Sequence, residues 1–148
     1  MGRASGVLMA VSSLPNSYGI GTFGKEAYDF IDFLVRTKQR YWQVLPLTTT
    51  SYGDSPYQSF SAAAGSPYYI DLKDLEKLGY LKSDDFEDIS FGTSNTCVDY
   101  GALFVNHRRL LNRAFDRFMQ DVPADFEKFC HDHAEWLDPY AEFMSLKE

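Results

Sequence analysis

The chain has 148 residues, with 12 Phe, 10 Tyr, 2 Trp, 45% hydrophobic and 24% charged side chains, a composition that excludes intrinsic disorder and fits one folded domain. Fourteen basic residues against 21 acidic ones give a net charge of −7. The longest unbroken apolar run, Val7–Val11, is far short of the roughly 18 residues that cross a bilayer, so the sequence reads as soluble and cytoplasmic, with no membrane partner.

Gly6-Val7-Leu8-Met9-Ala10-Val11-Ser12 is a short apolar run ending in turn formers, the pattern of a parallel strand buried on both faces. From Phe23 the apolar positions Phe23, Ala27, Phe30, Ile31 and Leu34 follow helical spacing, with Thr22 placed to cap the first turn, and predict a helix over 23–38. A second buried run, Tyr41–Leu45, stops at Pro46, which cannot donate to a sheet ladder. The unit reads βαβ, with a right-handed crossover expected.

Residues 48–68 carry one charge, Asp54, and follow neither the helix nor the strand period. Loops beyond roughly 12 to 15 residues are uncommon in compact domains and are usually functional or disordered. Four aromatics, Tyr52, Tyr57, Phe60 and Tyr68, argue for a structured, functional loop here. Beyond Ile70 the pattern turns helical. Asp71 caps a segment that Gly79 stops, a short turn begins at Ser83, and 99–120 places Leu103, His107, Leu111, Ala114 and Phe118 on one stripe with Arg108, Arg109, Arg113 and Arg117 largely off it. Another helix begins at Pro123, and a last, separate one at Asp138-Pro139, running to Glu148.

Charge follows the same divide. Residues 1–70 hold 5 basic and 4 acidic side chains, and 71–148 hold 9 and 17, an acidic balance that argues against nucleic acid as a partner. Cys97 and Cys130 have no paired spacing, which excludes a disulfide framework and a metal knuckle.

Among candidate motifs, Gly19-Ile20-Gly21-Thr22-Phe23-Gly24 has the GxGxxG form of a dinucleotide loop. Ser12–Tyr18 intervene between the strand and the first glycine, and no acid occurs between Asp32 and Asp54 to bind a ribose, so an oxidoreductase is the weaker alternative. Cys130-His131-Asp132-His133 cannot hold a metal on a helix, because His131 and His133 lie on opposite sides; His131 reads as solvent-facing and His133 as inward. No Ser/His/Asp constellation stands out, and no catalytic residue, metal or cofactor is assigned. Tyr52-Gly53-Asp54-Ser55-Pro56-Tyr57-Gln58 is more specific: tyrosine rings can lie on the C–H face of a sugar while hydroxyl, carboxylate and amide groups satisfy its oxygens.

These segments together resemble a known family, the 4-alpha-glucanotransferases, also called amylomaltases or disproportionating enzymes. The resemblance is carried by Arg3 with Ser5–Leu8, Ser12–Pro15, Tyr18–Gly21, Tyr41–Leu47, Tyr52–Ser59, Ser61 and Gly65–Leu72, with looser matches at Trp136-Leu137 and Phe143–Glu148. It departs from the family pattern at Ser145, where Ala is common, and at Ser66, where Asn is common. It also accounts for the GxGxxG as part of a Leu-Pro…Tyr-Gly-Ile-Gly turn.

The resemblance implies an α/β fold: the N-terminal fragment of a (β/α)8 TIM barrel followed by a mostly helical inserted subdomain. Residues 1–70 would start the barrel and carry the substrate-facing loop at its active face, and 71–148 would belong to the helical subdomain. It implies transfer of α-1,4-glucan segments between maltodextrins by a retaining mechanism, with no cofactor. The two carboxylates such chemistry needs, about 5 to 5.5 Å apart, lie on later barrel strands in the family. The substrate-binding residues it implies are Tyr52, Asp54, Ser55, Tyr57 and Gln58: Tyr57 at the reaction-centre glucose, Ser55 and Gln58 near substrate hydroxyls, and Tyr52 further out. Asp54 is expected to position, not to attack. With two barrel-type strands, the chain is expected to be the first piece of a longer enzyme, to need the remainder of the barrel as partner, and to be inactive alone. The competing reading is a self-sufficient carbohydrate-binding or scaffold domain.

Overall fold

β1 (Gly6–Leu8) and β2 (Tyr41–Gln43) pair in parallel, with Gly6 opposite Tyr41, Val7 opposite Trp42 and Leu8 opposite Gln43. Parallel neighbours need a crossover, and α1 (Lys25–Arg36) supplies it. The structure is a computed structural model that describes residues 2–94 and 96–147, so Glu148, the end of the Phe143–Glu148 run, lies outside the described residues. The ladder continues past β1 as the Met9 amide donates to the Gln43 carbonyl at 2.9 Å, and the Trp42 indole donates to the Met9 carbonyl at 2.8 Å.

The expectation of a strand buried on both faces fails. Gly6 and Leu8 are exposed and Val7 is half-buried. Side chains alternate across a strand, and a two-stranded sheet has one face covered, here by α1 through Phe30 against Trp42 at 4.9 Å. Val7 and Trp42 take the partly covered side, and Leu8 and Tyr41 stay exposed. Both strands are also shorter than their apolar runs: Val11–Ser13 is a 3-10 turn, and the chain leaves β2 before Val44.

Thr22 does not cap α1. Gly24 occupies the cap position with no side-chain bond, and Thr22, buried, donates instead to the Asp71 carboxylate at 2.5 Å while accepting from the Asn16 amide at 3.0 Å. Asp71 also caps α2 (Leu72–Lys77), accepting from the Asp74 amide at 3.1 Å. One carboxylate thus ties the turn before α1 to the start of α2. Gly79 closes that segment at φ 82°, a left-handed conformation in which glycine carries no Cβ penalty.

α3 (Tyr100–Phe118) starts at Asp99, whose side chain accepts from the Ala102 amide at 2.9 Å. Its buried stripe is Leu103, His107, Leu110 and Ala114, and Leu111 and Phe118 are half-buried. Arg113 and Arg117 leave the stripe to reach Asp85, in the 3-10 turn Ser83–Phe86. Arg117 makes a two-pronged pair with Asp85 at 2.5 and 3.0 Å.

α4 (Ala124–Lys147) is one continuous helix, which overturns the expected break at Asp138-Pro139. Pro139 withholds the bond that would reach the Glu135 carbonyl, but both residues are exposed, so the unmade bond lies on the wet side and the packed side runs on. As the spacing predicted, His131 is exposed, and His133 is half-buried between Phe129 at 4.6 Å and Trp136 at 5.9 Å.

Two buried clusters result. Val11, Leu14 and Ala27, with Phe30, Trp42 and Leu47 against them, form the core of the βαβ unit. Leu72, Leu81, Leu110 and Ala114 form the core of the helical region, and Tyr18 reaches into it from the first part, 5.2 Å from Phe86 and 5.6 Å from Phe91. The GxGxxG glycines serve this packing, Gly19 and Gly24 against the helical region and Gly21 within the core of the βαβ unit. A Cβ on Gly21 would collide with the Val11 carbonyl and with Leu14, and one on Gly24 with the Asp71 carboxylate. That carboxylate already lies against the N-terminal end of α1, where a dinucleotide phosphate would have to sit.

Gly21→Ala is therefore expected to cost about 1 to 3 kcal/mol, the scale of forcing atoms into a packed site. Gly65, where a Cβ meets nothing within 4 Å, is the control and is expected to accept alanine with little change. Urea unfolding of both variants checks this, and equal midpoints would contradict the packing role of Gly21.

Candidate functional site

The loop after β2 is closed at its neck by backbone pairing. Thr48 and Gly65 form an antiparallel bridge, the Ser66 amide donates to the Leu47 carbonyl at 2.8 Å, and the Thr49 amide donates to the Ala64 carbonyl at 3.3 Å. Thr49, Ala64 and Ser66 are buried there. Between these anchors the chain is held mostly by its own hydroxyls. Ser59 Oγ donates to the Ser61 carbonyl at 2.6 Å and accepts from the Ser61 amide at 3.2 Å, and Ser61 Oγ accepts from the Ala63 and Ala64 amides at 3.1 and 3.0 Å. Such side-chain-to-backbone bonds stand in for a ladder and keep a segment without helix or strand in one shape.

Two tight turns present the tyrosines. In the first, the Asp54 amide donates to the Ser51 carbonyl at 3.1 Å, with Gly53 at φ 90° and Asp54 at φ 54°. Aspartate tolerates the left-handed region better than most residues, which suits it to this corner. Tyr52 at the tip is 98% exposed. In the second, the Gln58 amide donates to the Ser55 carbonyl at 3.1 Å, and the Tyr57 amide to Ser55 Oγ at 3.4 Å.

Tyr57, 73% exposed, stands at an open cleft of about 340 Å³ whose walls include Pro46, Thr48, Pro56, Ser59 and Phe60. The cleft lies just beyond the carboxyl end of β2, the side on which parallel sheets bind ligands. Of the residues expected from sequence, Tyr57 lines it. Tyr52, Asp54, Ser55 and Gln58 do not: Ser55 shapes the turn under Tyr57, Gln58 is exposed beside it, and Tyr52 stands apart at the tip. Sequence reasoning did not assign Pro46, Thr48, Ser59 or Phe60 to a site. Phe60 carried a usable signal, as one of four aromatics in a nearly uncharged loop.

Asp54 is half-buried and does not line this cleft, and its charge is felt by Tyr68 and Tyr100. Burial raises both phenols above the ordinary tyrosine range, and the Asp54 charge adds to the shift of each. Tyr68 in turn rests edge-on against His107 of α3, with ring centres 5.7 Å apart. His107 is 1% exposed and neither ring nitrogen completes a hydrogen bond of ordinary geometry, although the Ile70 backbone favours the proton. Desolvation dominates and pushes its pKa down to about 4, so the ring is neutral at pH 7.

The cleft thus offers an aromatic ring, apolar walls and neutral hydroxyls, with no carboxylate among its lining residues. It can bind an uncharged polyhydroxylated ligand, and it holds no acid–base pair. Among the described residues no cluster of three or more His, Cys, Asp or Glu side chains could hold a metal.

Comparison with known proteins follows the same line. The family described as 4-alpha-glucanotransferase matches residues 9–148. The 4-alpha-glucanotransferase of Streptococcus pneumoniae is 57% identical over 148 residues, which cover 99% of this chain and 29% of that protein. That of Clostridium butyricum is 50% identical over 139 residues, covering 94% and 28%. Among solved structures, an amylomaltase from Streptococcus agalactiae in complex with acarbose superposes with a TM-score of 0.92 at 50% identity, over 99% of this chain and 30% of that one. The chain therefore spans under a third of the length of these relatives.

Proposed function

The chain belongs to the 4-alpha-glucanotransferase family, and we propose that it supplies the first barrel units and the substrate-facing loop of an enzyme that transfers α-1,4-glucan segments between maltodextrins. The observation that carries this reading is the cleft at the carboxyl end of β2, built around Tyr57 with no charged side chain among its lining residues. The Streptococcus agalactiae relative binds acarbose, which fits a cleft for sugars.

In this reading residues 1–70 begin a (β/α)8 barrel and 71–148 form a helical subdomain inserted beside it. The two separate cores support the division. The exposed Leu8, Tyr28, Val35 and Tyr41 on the βαβ unit support a partner of barrel strands and helices, since these are the side chains that neighbouring βα units would cover. The retaining double displacement needs a carboxylate nucleophile and an acid/base, and those belong to the remainder of the barrel. Tyr57 stacks on the glucose at the reaction centre, Ser55 and Gln58 lie near substrate hydroxyls, Asp54 positions and does not attack, and Tyr52 contacts glucan further out. A cytoplasmic location fits the free thiols of Cys97 and Cys130, and among the described residues no helix is long and apolar enough to cross a membrane.

Calorimetry of the isolated chain with maltodextrin tests the division of labour. Half a cleft is expected to give weak, millimolar-scale association. Sub-micromolar saturation would instead establish a self-sufficient binding domain, and saturable NADH binding would revive the dinucleotide alternative.

A further inference from the structure

Phe60 is one wall of the cleft, and it is also the point where the last helix meets the loop. The Phe143 ring lies 5.7 Å from the Phe60 ring at 44°, and Lys147 Nζ sits over Phe60 at 4.0 Å from the ring centre. Both partners come from the final turns of α4, one turn apart, so they stand on the same face of that helix. An ammonium within about 6 Å of a ring centre is attracted to the ring's negative face, and the lysine stem adds apolar contact. Phe60 itself is flanked by Ser59 and Ser61, whose hydroxyls brace residues 59–64 as one unit. A hold on Phe60 is therefore a hold on the part of the wall that Ser59, Ser61 and Ala62 also form.

We infer that Phe143 and Lys147 are positioning residues for the sugar cleft, acting through Phe60 to fix the loop wall it shares with Tyr57. This rests on the glucan-binding reading of the cleft. Neither residue lines it, and neither needs to touch substrate. Their contribution is to keep the wall in place before the sugar arrives, so that binding does not have to order it. An interaction of that kind stabilises ground state and transition state alike, and its loss raises KM with kcat unchanged.

The test uses a full-length protein made by grafting this chain into the Streptococcus pneumoniae relative in place of the segment it matches. Lys147→Met keeps the stem and removes the charge, Lys147→Arg keeps the cation, and Phe143→Leu removes the ring. Lys147→Met and Phe143→Leu are expected to raise the KM for maltotriose about 3- to 10-fold with kcat within about twofold, and Lys147→Arg to restore it. Hydrogen exchange gives a readout independent of activity: the Ala63 and Ala64 amides, bonded to Ser61 Oγ, are expected to exchange faster in Lys147→Met, while amides in the core of α3 do not change. Unaltered exchange at Ala63 and Ala64 would overturn the inference whether or not the graft is active. Altered exchange with an unchanged KM would overturn its link to the cleft. An inactive unaltered graft would count against the transferase reading, and the exchange result would still decide the hold on Phe60.

Discussion

In the graft, Tyr57→Ala is expected to lower kcat/KM for maltotriose by about 2 to 3 kcal/mol, the scale of one large apolar contact, or about 30- to 150-fold. Tyr57→Phe is expected to retain most activity, because it keeps the ring face. Part of the alanine loss is expected in kcat. A ring stacked on a glucose that flattens toward an oxocarbenium-like state gains contact as the transition state forms, so its removal is felt there more than in the ground state. The competing idea, that Tyr57 merely packs the loop, makes the opposite forecast. A side chain 73% exposed, on a turn closed by Ser55 and Gln58 backbone groups, has little packing to lose. The melting temperature of the alanine variant is therefore expected to stay within a degree or two of the parent. An alanine variant with parental kinetics would remove Tyr57 from the site.

Acid is expected to weaken the fold in a window set by His107. In the unfolded chain its pKa is 6.5, and burial holds it at about 4 in the native state. Above pH 6.5 both states are neutral there and the residue is silent. Between pH 6.5 and 4 the unfolded chain takes up a proton that the native chain refuses, so stability falls as pH falls. The loss reaches about 3 kcal/mol at pH 4 and grows no further below it. Asp85 acts lower down. The Arg117 pair holds it at about 2 against 3.8, so its contribution is present above pH 3.8 and is lost as pH falls toward 2. Urea midpoints at pH 7, 5.5 and 4.2 for the parent and His107→Leu separate the two groups. The variant is expected to show a flatter profile over this range, and parallel profiles would contradict a buried, neutral His107.

What the sequence discloses of this molecule follows how local each cause is. The Asp71 cap, the Gly79 stop and the turn at Ser83 rest on bonds or dihedrals within a few residues, and all stand where the pattern puts them. The inward His107 follows from helical spacing alone. The misreadings come from longer range. Thr22 looks like a cap until Asp71, 49 residues on, takes its hydroxyl. Pro139 looks like a helix start because sequence does not reveal that its side of α4 is wet. The strand at Gly6–Leu8 looks doubly buried because its composition suits a sheet with more covering than two strands and one helix provide.

At the cleft, Tyr57 was singled out by the tyrosine-rich, nearly uncharged loop together with the family resemblance, since turns alone use the same residue types. Phe60 was visible as an aromatic but not as a wall, since its place depends on Phe143 and Lys147 more than 80 residues away. Asp54 stands at a turn, where Gly53 beside it allows one, while the phenols that feel its charge, Tyr68 and Tyr100, come from two separate segments.

The most direct measurement is maltotriose disproportionation by the isolated chain and by the graft, followed as the appearance of glucose and longer maltooligosaccharides. The account predicts a ladder of products from the graft and none from the isolated chain. A ladder from the isolated chain, or none from a folded graft, would contradict it.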